Sequence, residues 1–244
     1  MQLVILASGR GSRLNYKTKV PKIFVKVKNH TIFDLNNKFY SFFRKKIIVL
    51  GYGYQNCKKI LKNENIKIVR NPNYYKTNMV HSLFCAKNFI KEDILVCYGD
   101  IFFDWRLVNK LINANRRKNL IILKKNWLPL WKKRMNIKNI YKDAEDVKIV
   151  KNKLHQIGNK IKYNLPKFQF MGIIKFKKSS FLKLSKFYIK LKNKNIDFTS
   201  FLNQAIVKKI IDINVITTNK YWFEIDNKKD LKILKKFIND KKII

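Results

Sequence analysis

Apolar residues come in short blocks, and the spacing within each block predicts its structure. Unbroken runs at residues 3–6, 47–50, 94–98 and 120–123 predict strands buried on both faces. Alternation at 66–69 predicts another strand, and 23–27 is a short strand-like run. Between these lie helical patterns: residues 30–34 lead into a helix through about residue 43, followed by helices at 55–62, 79–89 and 105–117. Strands alternating with helices imply a mostly parallel sheet covered on both faces. Such sheets bind ligands at the carboxyl ends of their strands.

The second half departs from this alternation. Residues 124–146 are irregular and rich in aromatic and acidic groups. Strands are predicted at 147–150 and 154–157 around a turn at Lys151 and Asn152, then at 168–176 with Gly172 inside. Helices at 181–191 and 198–210 follow, then a strand at 213–216, the segment Trp222 to Asp226, and a Lys-rich helix at 230–238. No repeat or linker interrupts the chain.

The first strand ends in small residues, Ala7-Ser8-Gly9-Arg10-Gly11-Ser12, followed by Arg13 and, further on, Pro21-Lys22. A small-residue turn lets the backbone approach a ligand closely, and its N–H groups can hold an anion. With Arg13 and Lys22 as cations, the stretch suits a polyphosphate, although an ordinary strand-to-helix turn uses the same residues. It lacks the Gly-Lys-Ser/Thr ending of a P-loop and the third Gly of a dinucleotide fingerprint.

Length and composition narrow the picture. The 244 residues suit one domain, with 46% apolar residues for its core. No apolar run nears the ~20 residues that span a bilayer, and the start has no basic leader. Cys57, Cys85 and Cys97 are scattered, which suggests free thiols in a reducing, cytoplasmic setting. The net charge of +40 suggests nucleic-acid binding at first sight. Its excess is almost all Lys, spread from end to end, and rises together with Asn, Ile, Phe and Tyr, as AT-rich codon drift would produce. Lys also suits bidentate phosphate or base recognition less well than Arg.

Acids are scarce, so their positions matter. Asp100 follows the strand at 94–98 and a Gly, and Asp226 closes Trp222-Phe223-Glu224-Ile225. Such a pair, with substrate phosphates, is what Mg²⁺ requires for phosphoryl or nucleotidyl transfer; two surface turn aspartates are the plainer reading. Asn78 and Ser82 can read a base edge, or Asn78 can cap the helix beginning near Met79. Trp127, Trp131 and Tyr141 lie beside Asp143, Glu145 and Asp146, which suits a cationic head group held by cation–π contact and counter-charge. Tryptophans equally serve as packing residues. His30, His81 and His155 match no triad or metal spacing.

Leu6-Ala7-Ser8-Gly9-Arg10-Gly11-Ser12-Arg13-Leu14, then Pro21-Lys22, resembles the signature of the nucleotidyltransferase family that makes sugar-nucleotides and CDP-alcohols. Ser8 replaces the family's usual second Ala. Tyr98-Gly99-Asp100, and Glu224-Ile225-Asp226 followed by Asp230-Leu231, resemble its metal-binding segments, with Phe102 where many relatives carry a further acid. Residues 71–83, together with Trp127-Leu128, Trp131, Arg134 and Asp143-Ala144-Glu145, resemble the phosphocholine cytidylyltransferase-like branch.

The resemblance implies a single α/β domain over residues 1–244: a Rossmann-like, mostly parallel mixed sheet with helices on both faces and an acceptor-side insertion at roughly 124–170. It implies nucleotide binding by Leu6, Ala7, Ser8, Gly9, Gly11, Ser12, Arg13, Asn78 and Ser82, with Arg13 and Lys22 catalytic on the leaving pyrophosphate. Asp100 and Asp226 would hold Mg²⁺, and Trp127, Trp131, Asp143 and Glu145 would bind the acceptor. The expected reaction is transfer of CMP from CTP to a phosphorylated small alcohol such as phosphocholine. The alternatives are a sugar-1-phosphate nucleotidyltransferase using UTP or dTTP, and a non-catalytic polyanion-binding protein. The expected partners are a nucleoside triphosphate and a phosphorylated acceptor, with no specific nucleic acid and no membrane, for a monomer or homodimer.

Overall fold

The computed structural model describes residues 1–14, 19–114, 118–161 and 163–241. In chain order its strands are β1 (Gln2–Ala7), β2 (Lys26–Val27), β3 (His30–Thr31), β4 (Lys46–Leu50), β5 (Lys67–Arg70), β6 (Ile94–Tyr98), β7 (Ile101–Phe103), β8 (Leu120–Lys124), β9 (Glu145–Val150), β10 (Lys153–Lys160), β11 (Gln169–Phe176), β12 (Asn214–Thr218) and β13 (Trp222–Glu224). The α-helices are α1 (Ile32–Leu35), α2 (Asn37–Tyr40), α3 (Tyr54–Ile60), α4 (Met79–Cys85), α5 (Leu107–Asn113), α6 (Leu128–Arg134), α7 (Ile137–Asp143), α8 (Lys178–Lys190), α9 (Phe198–Val207) and α10 (Lys228–Lys241).

The main sheet has nine strands in the order β5-β4-β1-β6-β11-β8-β12-β10-β9. All of them run one way except β11 and β10, so the expected mostly parallel mixed sheet is present. β1 is paired in parallel on both edges, with β4 and β6, and is buried throughout. That environment accounts for its unbroken apolar run. The segment between β8 and β11 contributes α6, α7 and the hairpin β9–β10, which extends the same sheet.

Several local expectations change. The helix predicted through residue 43 is two one-turn helices, because Asn36 breaks it. The Asn36 amide donates to the Ile32 and Ile101 carbonyls at 3.0 and 2.8 Å, so a tertiary bond overrides helix continuation. Only Lys26–Val27 of the run at 23–27 is a strand; Lys22–Phe24 is a 3₁₀ turn after Pro21. The helix predicted at 79–89 stops at Cys85 and is followed by a 3₁₀ turn, Lys87–Phe89. Of the helix predicted at 105–117, α5 is the described part, and residues 115–117 lie outside the described residues. The strand β7 was not predicted.

A second, smaller core packs beneath α10. Leu231, Leu234 and Ile238 recur at helical spacing and meet Phe102, Phe223 and Ile225. Phe102 is 1% exposed and serves this core.

Candidate active site

The β7–β13 pair brings two distant acids together. The strands are antiparallel with Glu224 opposite Ile101, and the Ile225 N–H donates to the Asp100 carbonyl at 2.9 Å. Asp100 precedes β7 and Asp226 follows β13, so both lie at the same end of the ladder, although more than half the chain separates them.

Lys22 sits between them. Its Nζ donates to Asp226 Oδ1 at 2.6 Å and to Asp100 Oδ2 at 3.0 Å. Burial opposes its charge, but Asp100 and Asp226 outweigh burial and hold the ammonium above the usual lysine range. Pro21 enters the 3₁₀ turn with φ −69°, and buried Ile23 and Phe24 anchor it. Arg13 Nη2 also donates to Asp226 Oδ1, at 2.8 Å. Lys22 has 13% of its side chain exposed and Arg13 has 69%, so the lysine is fixed while the arginine reaches from solvent.

The expected nucleotide-side residues all line one cleft of about 270 Å³, together with Tyr74, Thr77 and Asp100. Gly11 has φ +69°, and a Cβ there would stand 2.6 Å from Lys22 Cγ, so conformation and space both require glycine. The Ser8 hydroxyl donates to the Val49 carbonyl at 3.1 Å, so its side chain ties the loop to β4. Asn78 is the N-cap of α4 and accepts from the Met79 N–H at 2.8 Å. Ser82 Oγ accepts from the Asn71 amide at 2.9 Å and is 3% exposed.

A second cavity, of about 220 Å³, adjoins the first, with Arg13 and Met79 lining both. Asp143, Glu145, Asp197, Glu224 and Asp226 line it, which is five of the chain's 15 acids. Gly172 (φ +74°) forms part of its wall at an irregularity in β11; a Cβ there would meet the Tyr98 ring at 2.8 Å.

The buried guanidinium of Arg134 holds the back of this cavity. Its Nε donates to Asp230 Oδ1 at 2.9 Å, while Nη1 and Nη2 reach Glu224 Oε2 and Asp226 Oδ2, both at 3.2 Å. Burial works against the Asp226 charge, but Lys22, Arg13 and Arg134 outweigh it and hold the carboxyl below the usual range. Burial and the charge of Asp226 raise Glu224 instead. Burial, offset by a Thr199 hydrogen bond and reinforced by Asp197 and Asp143, pushes Glu145 up to about 7.

The tryptophan expectation is corrected. Trp127 and Trp131 are 2% and 0% exposed, and neither lines the cavity. Trp131 Nε1 donates to Asp143 Oδ2 at 2.7 Å, its ring stacks on Trp222 at 4.9 Å, and Arg134 lies over it at 4.3 Å. Trp127 Nε1 donates to the Pro166 carbonyl at 2.9 Å. Both are packing residues that shape the wall, leaving no ring face for a ligand. Tyr141 and Asp146 also lie outside the lining, and Asp146 accepts from Gln156 Nε2 at 2.6 Å. Asp143 and Glu145 do line it. Nothing in the sequence singles out Asp197, Thr199 or Gln169 as site residues, and Arg134 is marked there only by its resemblance to an acceptor-side segment. An Asp before Phe198-Thr199-Ser200 signals a helix start, and Asp197 is the N-cap of α9, but that signal carries no hint of a cavity.

The strand–loop cradle, the paired acids and the adjoining cavity define a nucleotidyltransferase site, and comparison with known proteins agrees. The chain belongs to the MobA-like NTP transferase domain family, which matches residues 3–151. It is an enzyme of cytidylyltransferase type: it is 35% identical to the CTP:phosphoglutamine cytidylyltransferase of Campylobacter jejuni, with 96% of this chain and 98% of that protein aligned. The fold is that of the inositol-1-phosphate CTP transferase from T. maritima, with TM-score 0.78, 18% identity, and 98% of this chain and 94% of that one covered. It is also that of the CTP:phosphocholine cytidylyltransferase from Streptococcus pneumoniae, with TM-score 0.72, 18% identity, and 97% and 98% covered. No helix among the described residues is long and apolar enough to cross a membrane.

Proposed function

We propose that this enzyme transfers CMP from CTP to the phosphate of a small phosphorylated alcohol with a cationic far end, phosphocholine being one such molecule. The carrying observation is the junction of two cavities of opposite character. One is lined by backbone, Arg13 and Lys22; the other is acidic, and Lys22 joins Asp100 to Asp226 at their boundary. The Campylobacter relative, named as a CTP-dependent enzyme, supports the choice of nucleotide.

The triphosphate would lie against the loop from Ala7 to Arg13, whose N–H groups present positive dipoles to it. An oxygen of the acceptor phosphate would attack the α-phosphorus in line. The bond from that phosphorus to the β-phosphate oxygen would break, and pyrophosphate would leave with the bonding electrons. Arg13 and Lys22 would stabilise its developing charge. Catalysis would rest on positioning and fixed charge, with no covalent enzyme intermediate.

Asp100 and Asp226 offer hard oxygens converging on one cationic point, which suits Mg²⁺. Among the described residues no cluster of three or more His, Cys, Asp or Glu ligands exists, and Mg²⁺ needs only one or two carboxylates beside substrate phosphates. When bound, the ion would neutralise phosphate charge.

The test is pyrophosphate release with Mg²⁺, each nucleoside triphosphate in turn, and a panel of phosphorylated alcohols and sugar 1-phosphates. Release with CTP and a phosphorylated alcohol is expected. Preference for UTP or dTTP with a sugar 1-phosphate would replace this reading with the sugar-nucleotide one.

A further inference from the structure

The acidic cavity carries more charge than its cations offset. Arg134, Lys22 and Arg13 pair with Glu224 and Asp226. Among the described residues, no salt bridge reaches Asp143, Glu145 or Asp197, in a chain with 55 lysines and arginines. Asp143 Oδ2 accepts from the Trp131 indole N–H. The Thr199 hydroxyl lies 2.7 Å from Glu145 Oε1 and 3.0 Å from Asp197 Oδ1, with one proton to share between two acceptors, and Asp197 Oδ1 also accepts from the Ser200 N–H at 2.8 Å.

An independent observation points the same way. Gln169 lines this cavity and is 8% exposed, and its buried Oε1 accepts no hydrogen bond among the described residues. A buried unpaired carbonyl oxygen is costly unless a ligand donor completes it. Trp222 Nε1 on the same wall also lacks a partner among the described residues, so the cavity sets the carboxylates of Asp143, Glu145 and Asp197 and the Gln169 oxygen against one unpartnered indole N–H.

The rings here are not arranged as a cage. Tyr98 packs edge-on against Phe170 and Phe198, which stack on each other at 10°, and Trp222 stacks on Trp131. Tyr98, Phe170, Phe198 and Trp222 line the cavity but are at most 8% exposed, so little ring surface is open to a ligand. A quaternary ammonium donates no hydrogen bond and is recognised by open ring faces. A primary ammonium brings three N–H donors.

We propose that this cavity selects phosphorylated acceptors ending in a primary ammonium, held by Glu145, Asp197 and Gln169, over quaternary ammonium and neutral acceptors. The proposal rests on the cytidylyl-transfer reading above. With the acceptor phosphate at the junction with the nucleotide cleft, the ammonium reaches into the acidic cavity.

The experiment measures kcat/KM at saturating CTP for phosphoethanolamine, phosphocholine and glycerol 3-phosphate by pyrophosphate release, in the wild type and in Glu145→Gln and Gln169→Leu. Phosphoethanolamine is expected to exceed both others by roughly tenfold or more. Each variant should narrow that gap while KM for CTP stays constant. Phosphocholine or glycerol 3-phosphate used as well as or better than phosphoethanolamine overturns the ammonium proposal and leaves cytidylyl transfer standing. An undiminished gap in both variants overturns the assigned residues. Absence of pyrophosphate with these acceptors and with every sugar 1-phosphate overturns the underlying reading, and the proposal with it.

Discussion

The nucleotide end of the cleft is drawn largely from one stretch of chain, residues 6–13 and 21–23, with α4 as its far wall. Besides Arg13 and Met79, which it shares with the nucleotide end, the acceptor end collects residues from five segments: 98–101, 143–145, 169–172, 197–199 and 222–226. The first works through backbone and cations, so its residue types must be small or basic, at fixed spacing. The second works through carboxylates delivered by strand ends and a helix cap, and its composition is set by topology. A site read from one contiguous motif and a site assembled across a sheet therefore fail in different ways.

The sharpest break of this comparison is at the boundary. Lys22→Ala should lower kcat on the order of 10³-fold, because it removes a fixed cation from the developing charge and leaves Asp100 and Asp226 facing each other. Pyrophosphate kinetics give the answer. A variant keeping more than about a tenth of wild-type kcat would mean that the boundary lysine holds the two acids together without serving the transfer.

Arg134 breaks the acceptor end from behind. Arg134→Met removes the salt-bridge partner of Glu224 and Asp230 and leaves Asp226 to Arg13 and Lys22. Removing one partner of a buried ion pair costs about 3–5 kcal/mol, so urea unfolding should show a loss of that size, with activity falling as Asp226 loses this guanidinium. A stability change below about 1 kcal/mol would show that the three carboxylates do not depend on this group.

These two residues also mark what the sequence could reveal. Lys22 belongs to a motif and was legible. Arg134 was visible only as part of a resemblance, because its partners lie far along the chain and converge through β13 and α10. The strands with both faces covered were legible for a related reason: burial on two sides leaves an unbroken apolar run. β7 was not, since three residues after Asp100 pair with a segment near the other end of the chain. The helix break at Asn36 depends on the Ile101 carbonyl, again a tertiary partner. The tryptophans were misassigned because indole N–H groups can serve packing as well as ligands, and only the fold supplies Asp143 and Pro166 as their acceptors.

The acceptor end should also respond to pH where the nucleotide end does not. Glu145 is pushed up to about 7, facing Asp143, Asp197 and the Thr199 hydroxyl. A cationic acceptor binds its ionised form, so kcat/KM for the acceptor should rise as pH rises through about 7, by roughly tenfold between pH 6 and 8. In Glu145→Gln the titrations of Glu224, also raised and lining the same cavity, and of the acceptor's own phosphate should remain. Stability has the opposite sign. Between the ordinary glutamate pKa and about 7 the folded state keeps a proton that the unfolded chain has lost, so stability falls as pH rises through that window. Identical acceptor profiles for wild type and variant would remove Glu145 from acceptor binding.

The smallest expected effect tests whether the corrected aromatic assignment is right. Trp127→Phe removes one indole hydrogen bond, to the Pro166 carbonyl, at a position 2% exposed and outside both cavities. The loss should be about 1 kcal/mol of stability from the hydrogen bond, with a further contribution from the smaller ring, read by denaturant titration. KM for acceptor and for CTP should both stay within about twofold. Had the ring faced a cationic head group, the pattern would invert: acceptor KM would rise by roughly threefold or more, a cation–π contact at a partly desolvated site contributing about 0.5–2 kcal/mol, while stability would barely move. The ratio of these two changes, and not the size of either alone, separates a wall built by packing from one built by recognition.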